Sequence, residues 1–99
     1  MHFEEEFSGV DFTQDSPSGI EYERCRFRDS TFYRANLSNA VLTECEFENC
    51  DLSMAITANT VIQDCVFKSC KMLGVSLEQC NELGLSFTME DCDLSHAMF

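Results

Sequence analysis

Seven cysteines, two histidines and eighteen carboxylates are the side chains in this 99-residue sequence that could do chemistry. Close thiol pairs hold zinc or exchange disulfides, and Cys45/Cys50 and Cys65/Cys70 each stand with four residues between them, a spacing that alone does not exclude a metal. The surrounding residues give the thiols a different role. Cys25, Cys45, Cys50, Cys65, Cys70 and Cys80 fall on multiples of five, and all but Cys80 stand two residues before an apolar one. Cys92 keeps that local place after a two-residue slip. A free cysteine there serves as a small buried hydrophobe, and the odd count argues against a disulfide framework. The expectation is reduced, inert thiols, with no metal site and no cofactor. No catalytic constellation accompanies them. His2 lies near the terminus, His96 faces outward on a late repeat, and no phosphate-binding glycine loop, H-E-x-x-H or G-x-S-x-G element occurs. An enzyme is not expected.

The element that positions these residues is a repeat. Bulky side chains recur every five residues as Tyr22, Phe27, Phe32, Leu37, Leu42, Phe47, Leu52, Thr57, Ile62, Phe67, Met72 and Leu77, and Thr57 alone breaks the apolar list. That period fits neither a helix nor a half-buried strand. It marks a solenoid, whose units bury their apolar faces only against neighbouring units.

The units Ala35-Asn36-Leu37-Ser38-Asn39, Cys45-Glu46-Phe47-Glu48-Asn49 and Cys50-Asp51-Leu52-Ser53-Met54 resemble those of the pentapeptide-repeat family. The resemblance implies an all-β fold, a right-handed quadrilateral parallel β-helix with one pentad per side and about four to five coils in this length. A side of five residues sends two side chains inward, a bulky centre and a small residue two before it. Residues twenty apart then stack in adjacent coils, about 4.8 Å apart. Phe7, Phe27, Phe47 and Phe67 form one such core ladder, and Phe12, Phe32, Leu52 and Met72 another.

One domain, residues 1–99, is expected, in four stretches. Residues 1–19 form an irregular first coil, with a loop where Asp15-Ser16-Pro17-Ser18-Gly19 has turn chemistry. Residues 20–80 are regular coils. Residues 81–87 make a junction or bulge, because Leu77 and Met89 are two residues further apart than two repeats allow and Phe87 is oversized for a small-residue place. Residues 88–99 resume the coil. The segment Cys80-Asn81-Glu82-Leu83-Gly84-Leu85-Ser86-Phe87 resembles the junction in the quinolone-resistance (Qnr-type) branch of the family, where a short N-terminal stack meets a longer C-terminal one. Ala97-Met98-Phe99 ends on an inward position without a cap. The expectation is a truncated chain, or an open end that associates with another copy as a homodimer or end to end.

Eighteen acidic residues against six basic ones give a net charge of −12 at pH 7. That charge repels nucleic acid and anionic membranes and attracts basic protein surfaces. No apolar run is long enough to cross a bilayer. The acidic start Met1-His2-Phe3-Glu4-Glu5-Glu6 is unlike a secretory signal, so the expected location is cytoplasmic. Acids spread along a straight β-helix make a rod of regularly spaced negative charge. Qnr-type proteins are understood to use such a surface in place of DNA on type II topoisomerases, and so to inhibit or protect them. The resemblance therefore implies DNA gyrase or topoisomerase IV as partner. Glu44, Glu46, Glu48, Asp51 and Asp64 form the expected acidic face, and Val41, Met54, Ile56 and Val61 an apolar contact patch. Arg24, Arg26, Arg28 and Arg34 make the early coils locally mixed, with Glu21, Glu23 and Asp29 as expected ion-pair partners. The alternative is a scaffold solenoid for another protein partner, since a fold does not fix function.

Overall fold

Each pentad runs extended for three residues and then turns a corner, and the turn has a fixed conformation. Arg24, Asp29, Arg34, Asn39, Glu44, Asn49, Met54, Asn59, Asp64 and Ser69 all have positive φ, between 50° and 62°. Left-handed backbone costs roughly 1–2 kcal/mol for an ordinary residue and is best tolerated by Asn and Asp, which recur at these corners. Gly74 continues the series with a second requirement, because the Sδ of Met54 lies 2.6 Å from where a Cβ would stand.

In a computed structural model that describes residues 1–98, these corners close the chain into a four-sided parallel β-solenoid. The first side stacks β1 (His2–Phe3), β3 (Glu21–Glu23), β5 (Val41–Thr43) and β7 (Val61–Gln63). The second stacks β2 (Glu6–Ser8), β4 (Arg26–Arg28), β6 (Glu46–Glu48), β8 (Cys65–Lys68) and β9 (Phe87–Glu90). The third side is a column of single parallel bridges through Asp11, Thr31, Asp51, Lys71 and Asp93. The fourth joins Asn36 to Ile56 and Ser76 to Met98. Backbone amides reach the neighbouring coil throughout, as in Arg26 N–H to Glu5 O at 2.9 Å and Glu46 N–H to Cys25 O at 3.0 Å. On the third and fourth sides the corners close as β-turns, with Ala35 N–H donating to Phe32 O at 2.8 Å and Ala40 N–H to Leu37 O at 3.0 Å. Positive φ at the third turn residue is what a type II turn requires.

The interior is a set of side-chain columns. Phe7, Phe27, Phe47 and Phe67 stack face to face, with successive centroids 5.1, 4.6 and 4.9 Å apart. Phe12 lies on Phe32 at 4.4 Å, and Phe27 meets Phe32 edge-on at 5.4 Å and 73°. Parallel contacts along a column and T-shaped contacts between columns are both favoured aromatic geometries. At the N-terminal end His2 stacks on Tyr22 at 5.0 Å. Thr57 is buried among these columns because its hydroxyl donates to the carbonyl of Ser76.

Two stretches differ from the regular coil. Pro17, within the expected loop, is among the fully buried side chains and fills the inward place between Phe12 and Tyr22. Its ring needs no amide hydrogen bond, and the Ser16 and Ser18 hydroxyls tie the stretch to Asn36 O at 3.1 Å and Ser38 O at 2.9 Å. Between Cys80 and Phe87 the pairing offset changes from twenty to twenty-two, since Phe47 pairs with Phe67 but Cys65 pairs with Phe87. The two extra residues lift Leu83 out to 76% exposure, and Gln63 Nε2 holds its carbonyl at 3.3 Å. Phe87 occupies the small-residue place only partly buried, its ring edge-on to Phe67 at 6.4 Å. Phe99, expected at an inward position, lies outside the described residues. The body measures 30 × 27 × 24 Å, so the expected rod is instead about as wide as it is tall.

Columns in van der Waals contact make the centre of the stack sensitive to truncation. Phe47→Ala is expected to lower the unfolding free energy by about 3–5 kcal/mol. Tyr33→Ala, on an exposed position, should stay within about 0.5 kcal/mol. Urea unfolding followed by circular dichroism measures both.

Candidate functional site

Side chains on either side of each buried centre point outward, so a charged residue meets the residues twenty before and after it more closely than its chain neighbours. This sets the electrostatics of the second side. Arg24 Nε donates to Glu44 Oε2 at 2.9 Å, and its Nη1 lies 3.7 Å from Glu4 Oε1. Arg26 lies 3.9 Å from Glu46, and Arg28 lies 3.6 Å from Glu48 and 4.0 Å from Glu6. Lys68 approaches Glu46 at 3.6 Å. Arg24, Arg26 and Arg28 thus pair between coils, and not with the expected Glu21, Glu23 and Asp29, because side chains in adjacent coils are the nearer neighbours, while Arg34 lies over the Tyr33 ring at 5.4 Å. The hydrogen bond and charge of Glu44 raise the Arg24 pKa above its ordinary value. Of the expected acidic face, Glu46 and Glu48 lie on β6, with Glu44 at the corner before them and Asp64 one coil above Glu44. Asp51 lies around the next corner on the third side. Glu44, Glu46 and Glu48 are therefore charge-compensated, while Asp51 and Asp64 have no cation within ion-pair distance among the described residues.

The third side carries the less compensated acids. Asp11, Asp51 and Asp93 share one column with Thr31 and Lys71. A groove of about 390 Å³ runs beside it, bordered by Asp11, Asp29, Asn49, Asp51 and Lys71. The Thr13 hydroxyl, and then its amide, hold the Asp11 carboxyl below the usual carboxylate range. Ser95 does the same for Asp93, so both remain charged at neutral pH. Reading the charged positions at a period of twenty, as with 4/24/44, 26/46 and 28/48, would have found four of the six ion pairs of the second side in the sequence, whereas Arg28–Glu6 and Lys68–Glu46 are diagonals of twenty-two.

The expected apolar patch divides. Val41 and Val61 pair in neighbouring strands β5 and β7 on the first side. Met54 turns the corner between the third and fourth sides, and Ile56 lies on the fourth; both are about half exposed.

The cysteines serve the backbone. Cys45, Cys50, Cys65, Cys70 and Cys92 donate S–H bonds of 3.3–3.4 Å to the carbonyls of Tyr22, Phe27, Leu42, Phe47 and Phe67 in the coil before. Thr60 does the same to Leu37 O at 2.7 Å, so Cys and Thr share this role, whereas the Ser30 hydroxyl donates to Arg28 O at 2.9 Å and accepts from Val10 N–H of the coil before. Burial raises the Cys25, Cys80 and Cys92 thiol pKa values, and the stacked Cys65 thiol together with burial raises that of Cys45. No cluster of three or more metal-ligating side chains occurs among the described residues.

The family described as right-handed beta helix region matches residues 2–99. No curated protein sequence matches the chain. The solved structure of full-length QnrB1, a plasmid-mediated fluoroquinolone resistance protein, superposes with a TM-score of 0.74 at 19% identity over 99% of this chain and 48% of that one. Two trypsin-treated variants of the same protein give TM-scores of 0.64 and 0.59 at 19% and 16% identity, covering 99% and 98% of this chain and 49% and 58% of theirs. The chain thus spans about half the length of the solved structures it matches. At such identities the likeness is one of fold, a right-handed pentapeptide-repeat β-helix.

The thiols generate two expected outcomes. Six cysteines are buried and Cys92 is half-buried, so a thiol reagent should modify Cys92 first and the others only on unfolding. Because burial raises the folded pKa values of Cys25, Cys80 and Cys92, the neutral form of these three thiols is favoured in the folded state. The associated stability is then fully present below the unfolded thiol pKa of about 8.5 and is lost as pH rises through the folded values. Urea midpoints should therefore fall between pH 8 and pH 10, and Cys80→Ala should reduce that fall.

Proposed function

The chain belongs to the right-handed β-helix family, and on that premise we propose that it is a non-enzymatic cytoplasmic protein that binds DNA gyrase or a related type II topoisomerase in place of DNA. The observation that carries this reading is a net charge of −12 on a fold shared with a fluoroquinolone resistance protein. A basic groove built for phosphates attracts a surface of like sign and rigid spacing. The body of 30 × 27 × 24 Å spans roughly seven to nine base-pair steps at about 3.4 Å each, a short DNA segment rather than a long one. Asp51, with Asp11 and Asp93 in its column on the third side, and Asp64, at the corner between the first and second sides, are the carboxylates available to such a groove. Glu44, Glu46 and Glu48 present charge already matched by arginine, and they contribute less to that contact.

A supercoiling assay with purified gyrase tests the reading, titrating the chain with and without a fluoroquinolone. Inhibition of supercoiling, or rescue from the drug, is expected. The double substitution Asp51→Asn/Asp64→Asn keeps the oxygen that accepts from Ser53 N–H and Ser86 Oγ and should weaken the effect about threefold to tenfold. No effect from folded, monodisperse protein would contradict the reading for this chain and favour a scaffold bound to another partner.

A further inference from the structure

The second side is the one whose charges lie in bands of alternating sign. Along the stack, Glu4 and Glu6 form an acidic row, Arg24, Arg26 and Arg28 a basic row, and Glu44, Glu46 and Glu48 another acidic row. Within the chain these rows are paired, but mostly beyond hydrogen-bond distance. Of the six ion pairs on that side, Arg24–Glu44 alone is at hydrogen-bond distance, 2.9 Å, and the others span 3.6–4.0 Å. The side chains remain 28–62% exposed. A guanidinium has five N–H donors, so each arginine keeps donors for a further carboxylate.

We propose that this side is the interface of a homodimer, in which a second copy packs face to face about a two-fold axis running parallel to β4 and β6 and midway between them. Rotation about that axis preserves each residue's place along the strand and exchanges the two coils. Arg24, Arg26 and Arg28 then face Glu44, Glu46 and Glu48 of the second copy, and the symmetry repeats all three pairs in the opposite sense. Val66 meets Glu6 of the second copy, and Lys68 meets Ser8. Glu4 and Asp64, at the corner, are the one like-charge pair. Alternative arrangements are worse. A two-fold axis along the stack sets the arginine row on itself, and a shift by one coil towards the C-terminal end sets Glu44 against Asp64. A shift towards the N-terminal end matches Arg24 and Arg26 with Glu4 and Glu6 but leaves Glu44, Glu46 and Glu48 with no facing cation. The banding therefore selects one partner, one orientation and one register.

The net charge of −12 per copy acts against association over long range, whereas the row-to-row pairs act at contact. The Debye length falls from about 30 Å at 0.01 M salt to about 8 Å at 0.15 M and about 3 Å at 1 M. Dimerisation should accordingly be strongest near intermediate salt and weaken in both directions. That dependence separates it from apolar association, which salt does not weaken.

Sedimentation velocity on the 11.3 kDa chain across this salt range provides the test. A salt-bounded dimer is expected, with Arg26→Glu and Glu46→Arg each weakening it at least about tenfold. An equimolar mixture of these two variants should form a heterodimer that neither forms alone, because each repairs the other's contacts across the axis. Circular dichroism confirms that both are folded. A monomer at every salt concentration, a dimer indifferent to either substitution, or no rescue on mixing would overturn the proposal.

Discussion

A chain that turns a corner every five residues can offer its backbone amides only to the coil next door. This constraint governs the rest of the structure. Corner residues adopt left-handed backbone, with Arg24, Asn39 and Asp64 at φ of 54°, 62° and 53°. Three-residue strands are too short to be stable alone, so each derives its stability from the strands twenty residues away in either direction. Interior columns, S–H donors and ion pairs all inherit that spacing. The Phe7–Phe27–Phe47–Phe67 column is the apolar expression of the register, and Arg24–Glu44 is its charged expression.

Register also explains the use of cysteine. The place two before each buried centre admits only a small side chain, yet it lies beside a carbonyl of the preceding coil. Alanine fits the space and leaves the carbonyl without a side-chain donor, while Cys and Thr fit and also donate. Thr60 to Leu37 O at 2.7 Å and Cys65 to Leu42 O at 3.3 Å show the same solution with two chemistries. Thiol donors are weak, but they cost little to bury.

Much of this was legible in the sequence, because the period is short and every repeat reports it. The inward ladders, the bulge after Cys80 and the stacking of Val41 on Val61 follow from counting by five and by twenty. What escaped the reading required the geometry of the sides. Pro17 has turn chemistry, yet at that place its ring serves as a core side chain. Glu21 and Glu23 lie near Arg24 in number, although Glu44 is nearer in space. Met54 and Ile56 share a composition with Val41 and Val61 but not a side of the coil. A charge count is blind to direction, and direction divides the acids into a matched set on β6 and a freer set around Asp51.

In the proposed function, a small, strongly acidic body takes the place of DNA on a basic surface. Competition is the most direct test of that claim. Binding of the chain to immobilised gyrase should be measured with and without saturating linear DNA, at fixed ionic strength. Mutually exclusive binding, with the apparent affinity for the chain falling in proportion to DNA occupancy, is the predicted result. Simultaneous binding of both, or no binding at all by the folded chain, would contradict it.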